Sequence, residues 1–484
     1  MYTSAPTSAY PIAKEPSHPT SLFRETSSCL VSGIPFPLAL DRECFNAFRR
    51  AQELGLQFLF LYSCSVSWFR PNEVGGEAEA LSSRSRRSLA TLSVAGFLAI
   101  LSSTMSKSPT LPLLAESLGI SPAAIGFIAS TSTIVGIFVN VIAGVLSDKY
   151  GRRILLIAGG AVFATAPLLY LFVRNPLQLA AVRAYHGFAT AIFVPVSLAL
   201  IADVFPERRG EVMGLFSSSM TAGRMIAPTL AGALIFSYGF EETFETCWVA
   251  GAIAFLVILL FIRPENYRRV SGKFALPNPK VIVVGSFEAA VYFVMQAVET
   301  FLPIYAGMIG ISASEIGLLF TFQISVMAII KPIAGRISDR LGRAYPLVFG
   351  MVMSSMGVIG LSILGGISAI ALSLALLSAG TASVTSSTKP LASEVVSSME
   401  HGAAIGATET IKDVGQALGP LAIGVVIKFV GYRKAFIFLA ALPLLFIPLY
   451  LKVRKGLKGR LDPDYPYLPH SLEHFREELL NVLP

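Results

Sequence analysis

The sequence predicts an all-α polytopic membrane protein, with twelve transmembrane helices in two six-helix, pseudo-symmetric bundles. Three observations predict it. Apolar runs of 18 or more residues recur along the chain, each long enough to cross about 30 Å of hydrocarbon. Of 484 residues, 54% are hydrophobic and 14% charged, against roughly 25% charged in a soluble protein. One phrase, Gly144-Val-Leu-Ser-Asp-Lys-Tyr-Gly-Arg-Arg153, returns as Gly335-Arg-Ile-Ser-Asp-Arg-Leu-Gly-Arg343.

The repeat extends well beyond that phrase. Asp148 corresponds to Asp339, Gly151 to Gly342 and Arg152 to Arg343, at an offset of 191. The same offset links Pro112 to Pro303, Gly119 to Gly310, Ser121 to Ser312 and Gly126 to Gly317. With one residue inserted, Gly214, Gly223, Pro228 and Gly232 reappear as Gly406, Gly415, Pro420 and Gly424. A unit this long is not a solenoid repeat; it is a duplicated half of a membrane protein.

Residues 1–87 have no counterpart in the repeat. Their Pro-, Ser- and Thr-rich start implies loop or disorder, and the apolar stretch 54–69 is short for a span, so an extension that is disordered or interfacial is expected. Spans 1 to 6 follow near 88–115, 123–147, 153–173, 176–203, 211–238 and 243–262, forming the N-terminal bundle (88–262). A polar linker, 263–279, separates it from spans 7 to 12, near 280–307, 315–338, 345–365, 367–394, 402–428 and 433–452. These form the C-terminal bundle (280–452), and a mixed-charge tail, 453–484, ends the chain. Span 1 is expected to bend at Pro112.

Orientation follows from lysine and arginine. One set of loops carries Arg84, Arg86, Arg87, Lys149, Arg152, Arg153, Arg208, Arg209, Arg336, Arg340 and Arg343, whereas the opposite set carries Arg174, Lys428, Arg433 and Lys434. Both termini are therefore expected in the cytoplasm, in a multi-pass protein of the cell (plasma or inner) membrane. The net charge of +8 is then an insertion signal, and no nucleic-acid partner is implied. Cys29, Cys44, Cys64 and Cys247 show neither metal-ligand nor disulfide spacing. No phosphate-binding glycine loop or nucleophile–base constellation is present, so neither an enzyme nor an ATP-driven pump is implied, and no cofactor or metal is expected. The lipid bilayer and a small-molecule substrate are the expected partners, and a monomer is the expected state.

Charges inside the spans are the candidate pathway: Lys107 (span 1), Arg183 (span 4), Arg224 (span 5), Glu288 and Glu299 (span 7), and Glu409, Lys412 and Asp413 (span 11). Eight such groups facing lipid would cost roughly 20 kcal/mol on the insertion scale. A fold stable by about 5–15 kcal/mol could not absorb that. They must face each other or a watery cavity. Glu409 and Asp413, four residues apart, share a helix face and make a candidate proton site, with a static ion pair to Lys412 as the alternative. Lys331 and Lys389, nearer the span ends, can snorkel. The offset of 191 puts Ser108 opposite Glu299, so Lys107 and Glu299 fall within one residue of symmetry-related positions and are expected to pair across the cavity. His186 is expected to be a packed polar residue.

Gly144 and Gly335 suit a close helix–helix approach, Gly151 and Gly342 a tight reversal, and Asp148 and Asp339 a bond to helix N-terminal amides or nearby arginines. The twice-stated Gly-x-x-x-Asp-x-x-Gly-Arg pattern closely resembles the signature of the major facilitator superfamily over about residues 88–452. The resemblance implies that Asp148, Arg152 and Arg153, with their second-half counterparts Asp339 and Arg343, form a gate latching the halves on the cytoplasmic side. Arg183-Ala-Tyr-His-Gly187 resembles the family's Arg-x-x-x-Gly element, associated with ion coupling. Gly214, Gly223, Pro228 and Gly232 are similar to the glycine–proline element of its antiporter branch, which includes drug:proton exporters. Two of that element's glycines are alanine here. Span 11 repeats the element with Gly415, Gly419, Pro420 and Gly424. The implied function is secondary transport by alternating access, with proton-driven export of small organic compounds. Two alternatives stay open: an uptake symporter for a small organic anion, favoured by Lys107, Arg183 and Arg224, and a transporter-like membrane sensor.

Overall fold

The computed structural model describes residues 83–262, 278–363, 365–397 and 400–457. The extension with its stretch 54–69, most of the linker and most of the tail lie outside the described residues. Helices make up the structure in the expected order. α1 (Ser83–Lys107) and its short continuation α2 (Thr110–Ser117) form span 1. α3 (Pro122–Tyr150), α4 (Arg152–Tyr170), α5 (Pro176–Val204), α6 (Arg209–Ser237) and α7 (Phe240–Phe261) complete the first bundle. α8 (Pro279–Met308), α9 (Ala313–Leu341), α10 (Ala344–Ile363), α11 (Ile367–Glu394) and α12 (His401–Leu457) build the second. α12 holds spans 11 and 12, which part at Gly431, where φ is +78°. Among the described residues ten helices are long and apolar enough to cross a membrane, α12 counting once. α6, with Arg209, Glu211 and Arg224 along it, is the further span between α5 and α7.

Helix starts follow local chemistry. Pro122, Pro176 and Pro279 occupy first-turn positions, where no amide partner is lost. Asn175 caps α5 by accepting from the Gln178 amide at 2.9 Å. Ser312 and Glu315 form a capping box on α9, which satisfies two orphan amides at once. Span 1 breaks at Ser108–Pro109 and not at the expected Pro112. Pro112 lies in the first turn of α2, where its missing N–H needs no partner and does not interrupt the helix. Lys107 therefore ends α1 at mid-span. At the chain's far end, α12 continues to Leu457, past the expected start of the tail.

The two halves meet at one end only. The largest buried core draws on both bundles: Leu111, Ile125 and Phe244 pack with Phe301, Ile316 and Phe436, at the end opposite the repeated phrase. At the phrase end each bundle keeps its own core, one around Leu156, Phe193 and Phe216 and the other around Phe287, Leu347 and Tyr450. What joins the halves is backbone contact between glycine-bearing helices. A Cβ on Gly126 of α3 would lie 2.2 Å from the Pro420 carbonyl oxygen of α12, and one on Gly424 would lie 2.5 Å from that of Pro122. The symmetry-related pair repeats this. A Cβ on Gly317 of α9 would lie 2.3 Å from the Pro228 oxygen, and one on Gly232 of α6 would lie 2.3 Å from that of Ala313. Hydroxyls reinforce both contacts: Ser130 Oγ donates to Ala417 O at 2.6 Å, and Thr321 Oγ1 donates to Met225 O at 2.7 Å. Small residues permit this approach because no side chain separates the backbones.

This packing predicts a specific failure. Gly126→Ala must push α3 off α12, and overpacking of this kind costs about 1–3 kcal/mol, enough to move a two-state balance about tenfold. Spin labels at Ser117 and Lys428, one from each half at the joined end, should show longer and broader distances in Gly126→Ala. They should be unchanged in Gly136→Ala, where a Cβ would meet open space.

Candidate functional site

Each repeated phrase folds into a helix end, a one-residue reversal and a second helix start. The reversal falls on Gly151 and Gly342, at φ +95° and +88°, a backbone region that only glycine enters without strain. It points Arg152 back at the helix it has just left. Arg152 pairs with Asp148, reaches the Ser147 hydroxyl, and donates from Nε to Asp203 Oδ2 at 3.1 Å. Arg343 does the same in the second half, with Asp339, with Ser338 Oγ at 3.2 Å, and with Glu394 Oε1 at 2.9 Å.

The carboxylates Asp203 and Glu394 were missed by motif reading, yet they stand at the same offset of 191. Extending the repeat comparison down spans 4 and 10 would have found them. Arg153 acts differently. It donates to the carbonyls of Ile262 at 2.6 Å and Leu259 at 3.2 Å. It thereby satisfies the last turn of α7 as a C-terminal cap, a role its counterpart Ala344 cannot share.

Two expectations at this end are corrected in the conformation seen here. Gly144 and Gly335 make no close approach, and neither does Gly214: a Cβ on any of them would meet open space. The reason is that the halves are parted here. Asp148 and Asp339, at 40% and 67% side-chain exposure, pair among the described residues with arginines of their own half. Among the described residues no ion pair crosses between the halves at this end. The glycine–proline elements pack in two directions. Gly223 lies against the Phe97 carbonyl of α1, and Gly415 and Gly419 lie against those of Ala289 and Phe293 of α8, within one half. Their far ends, Gly232 and Gly424, reach across to the other half.

Between the two ends lies a mid-span cavity to which Lys107, Arg183, Gln296, Glu299 and Thr300 contribute. Lys107 Nζ is 2.9 Å from Gln296 Oε1 and 3.5 Å from Glu299 Oε2. Among the described residues this is the ion pair that joins the halves. Arg183, 5% exposed, acts electrostatically on the Tyr170 hydroxyl. Its Nε has no partner. Arg183 and Arg224 both act electrostatically on Lys107. His186, behind the cavity, is 3.4 Å from the Tyr170 hydroxyl and lies edge-on to Phe163.

A second charged network lies wholly in the C-terminal half. Lys412 sits between Glu409 and Asp413, and Lys389 also pairs with Glu409. Lys389 thus enters the network and does not snorkel. The two span-11 carboxylates are separated by a cation, so they form an ion-pair chain and not two acids sharing a proton. Lys412 also lies 5.4 Å from the centre of the Tyr292 ring. Glu288, 1% exposed, stands apart from these pairs and accepts from Thr388 Oγ1 at 2.7 Å. Among the described residues no group of three or more His, Cys, Asp or Glu is placed to hold a metal ion.

Residues 92–305 and 284–464 match the Major Facilitator Superfamily. The chain is similar to an uncharacterised MFS-type transporter of Methanocaldococcus jannaschii, at 25% identity over 72% of this chain and 93% of that protein. It is also similar to the multidrug resistance protein MdtG of Proteus mirabilis, at 28% identity over 69% of this chain and 87% of that one. A bacterial homologue of the human lysosomal transporter Spinster has the same fold, with a TM-score of 0.69 at 15% identity over 80% of this chain and 100% of that chain. The match covers both halves, and both carry the same Asp–Gly–Arg reversal closed by a distant carboxylate: the chain belongs to the major facilitator superfamily of membrane transporters.

Proposed function

We propose that this transporter is secondary active and works by alternating access, exporting small organic compounds in exchange for protons. It would do so as a monomer in the cell membrane, with both termini cytoplasmic. One observation carries the reading: the halves are joined at one end, parted at the other, and hold a charged cavity between. A path of that shape exposes its middle to one side at a time if the halves rock. The likeness to a multidrug resistance protein supports export and an organic substrate. The carboxylates Glu288, Glu299, Glu409 and Asp413 are the groups available to carry a proton, and the proton gradient would be the energy source. Lysine and arginine cluster at the parted end, which by the positive-inside rule would face the cytoplasm.

In this mechanism the Asp148 and Asp339 networks are gate parts. Asp203 and Glu394 hold each arginine in place, and the arginine holds an aspartate at the mouth. When the halves close at this end, those aspartates would meet the facing half and stabilise the closed form. Weakening them shifts the balance of states without touching the cavity.

Three outcomes are expected. Everted vesicles energised with a proton gradient should accumulate an exported dye, and a protonophore should abolish the accumulation; counterflow indifferent to the protonophore would remove proton coupling. Asp148→Asn and Asp203→Asn should each slow transport about fivefold, the change that about 1 kcal/mol produces, while equilibrium binding stays within twofold. Their double variant should be no slower than either, since both act through Arg152. Single cysteines at 119–122 and 307–314 should react with an impermeant maleimide in whole cells, and cysteines at 270–276 should not.

A further inference from the structure

The mid-span cavity is electrostatically lopsided. The charged side chains that the N-terminal half supplies to it are cations, Lys107 at the broken end of α1 and Arg183 on α5, with Arg224 of α6 acting on Lys107 from nearby. Against them stands the single carboxylate of Glu299 from α8. The other mid-span carboxylates of that half are committed elsewhere, Glu409 and Asp413 to lysines and Glu288 to Thr388. Glu299 is itself held loosely, at 3.5 Å from Lys107, while Gln296 bonds both partners, accepting from Lys107 at 2.9 Å and donating to Glu299 at 3.3 Å.

Arg183 is the sharper signal. It is a guanidinium at 5% exposure, with an unpartnered Nε. It acts on the hydroxyl of Tyr170, and among the described residues no carboxylate pairs with it. A buried charge in that position is costly unless an anion reaches it. Arginine also offers two parallel donors to a planar oxyanion.

We propose that this cavity binds an organic anion, whose carboxylate or sulfonate group is held between Arg183 and Lys107. In the empty protein Glu299 occupies Lys107 as an internal competitor, and the arriving anion displaces it. As a statement of substrate class the proposal rests on the transport reading above, but binding itself is measured without transport.

The test compares two xanthene dyes of similar shape and opposite charge, 6-carboxyfluorescein and rhodamine 123, by fluorescence anisotropy with the purified full-length protein in detergent. The parent should bind the anionic dye more tightly. Glu299→Gln, which keeps the side chain's shape and removes the competitor, should tighten 6-carboxyfluorescein about tenfold. Lys107→Met and Arg183→Met should each weaken it about tenfold or more, the scale of a lost charge-assisted hydrogen bond. Arg183→Lys guards against misfolding and should retain part of the binding.

A cationic substrate would reverse every sign: rhodamine 123 would bind preferentially, Glu299→Gln would abolish its binding, and the proposal would fall. It would also fall if neither dye bound, or if the three variants left anion affinity unchanged. Anion binding with no transport in the vesicle assay would remove the transport reading and keep the site. Transport without charge-dependent binding would do the opposite.

Discussion

Four glycines bring backbone against backbone where the two halves meet, and the rest of the molecule depends on that contact. Because Gly126, Gly232, Gly317 and Gly424 lack side chains, α3 seats on α12 and α6 seats on α9 at carbonyl distance. Ser130 and Thr321 add one hydroxyl bond to each seat. All of this adhesion is at one end. At the other end Gly144, Gly214 and Gly335 face open space, and each half closes its core by itself. Packed interfaces of this kind are bistable and not continuously deformable, so a small change at the seats becomes a large change at the mouth.

The low dielectric of the membrane interior supplies the second constraint. A charge there is tolerated only with a partner or a watery cavity. The protein meets this rule in three ways. At the parted end, each arginine that follows a reversal is closed by two acids of its own half. In the C-terminal half, lysines alternate with carboxylates. In the cavity, a loose pair and an unneutralised arginine remain. The first two arrangements are self-sufficient, whereas the third is completed only by something that enters. That difference separates framework from working site more clearly than motif spelling does.

Much of this was legible in the sequence because duplication writes the same physics twice. The offset between Asp148 and Asp339 marks out the halves, and Lys107 with Glu299 emerges from it as a pair of neighbours. Carried further, the same offset pairs Asp203 with Glu394, Ser130 with Thr321, and Ser147 with Ser338. What was not legible depends on which conformation is occupied. Gly144 and Gly223 look alike in a sequence, yet only Gly223 is packed here, because helix contact at the mouth belongs to another state. Pro112 marked the expected break in span 1, yet the helix parts three residues earlier, because Pro112 falls inside the first turn of α2. Arg153 counted as a gate residue because it stands in the repeated motif. The carbonyls it caps, those of Ile262 and Leu259, lie more than a hundred residues away and leave no local trace.

Joining at one end and parting at the other are, on this account, two faces of a single equilibrium. Single-molecule fluorescence energy transfer in lipid nanodiscs tests that claim most directly, with one dye pair at Lys149 and Arg340 on the parted end and another at Ser117 and Lys428 on the joined end. Two states are expected at each pair, with populations that move in opposite directions when pH or substrate is changed: whatever fraction closes at the first pair must open at the second. A single fixed distance at both pairs, or ends that open and close independently, would contradict it.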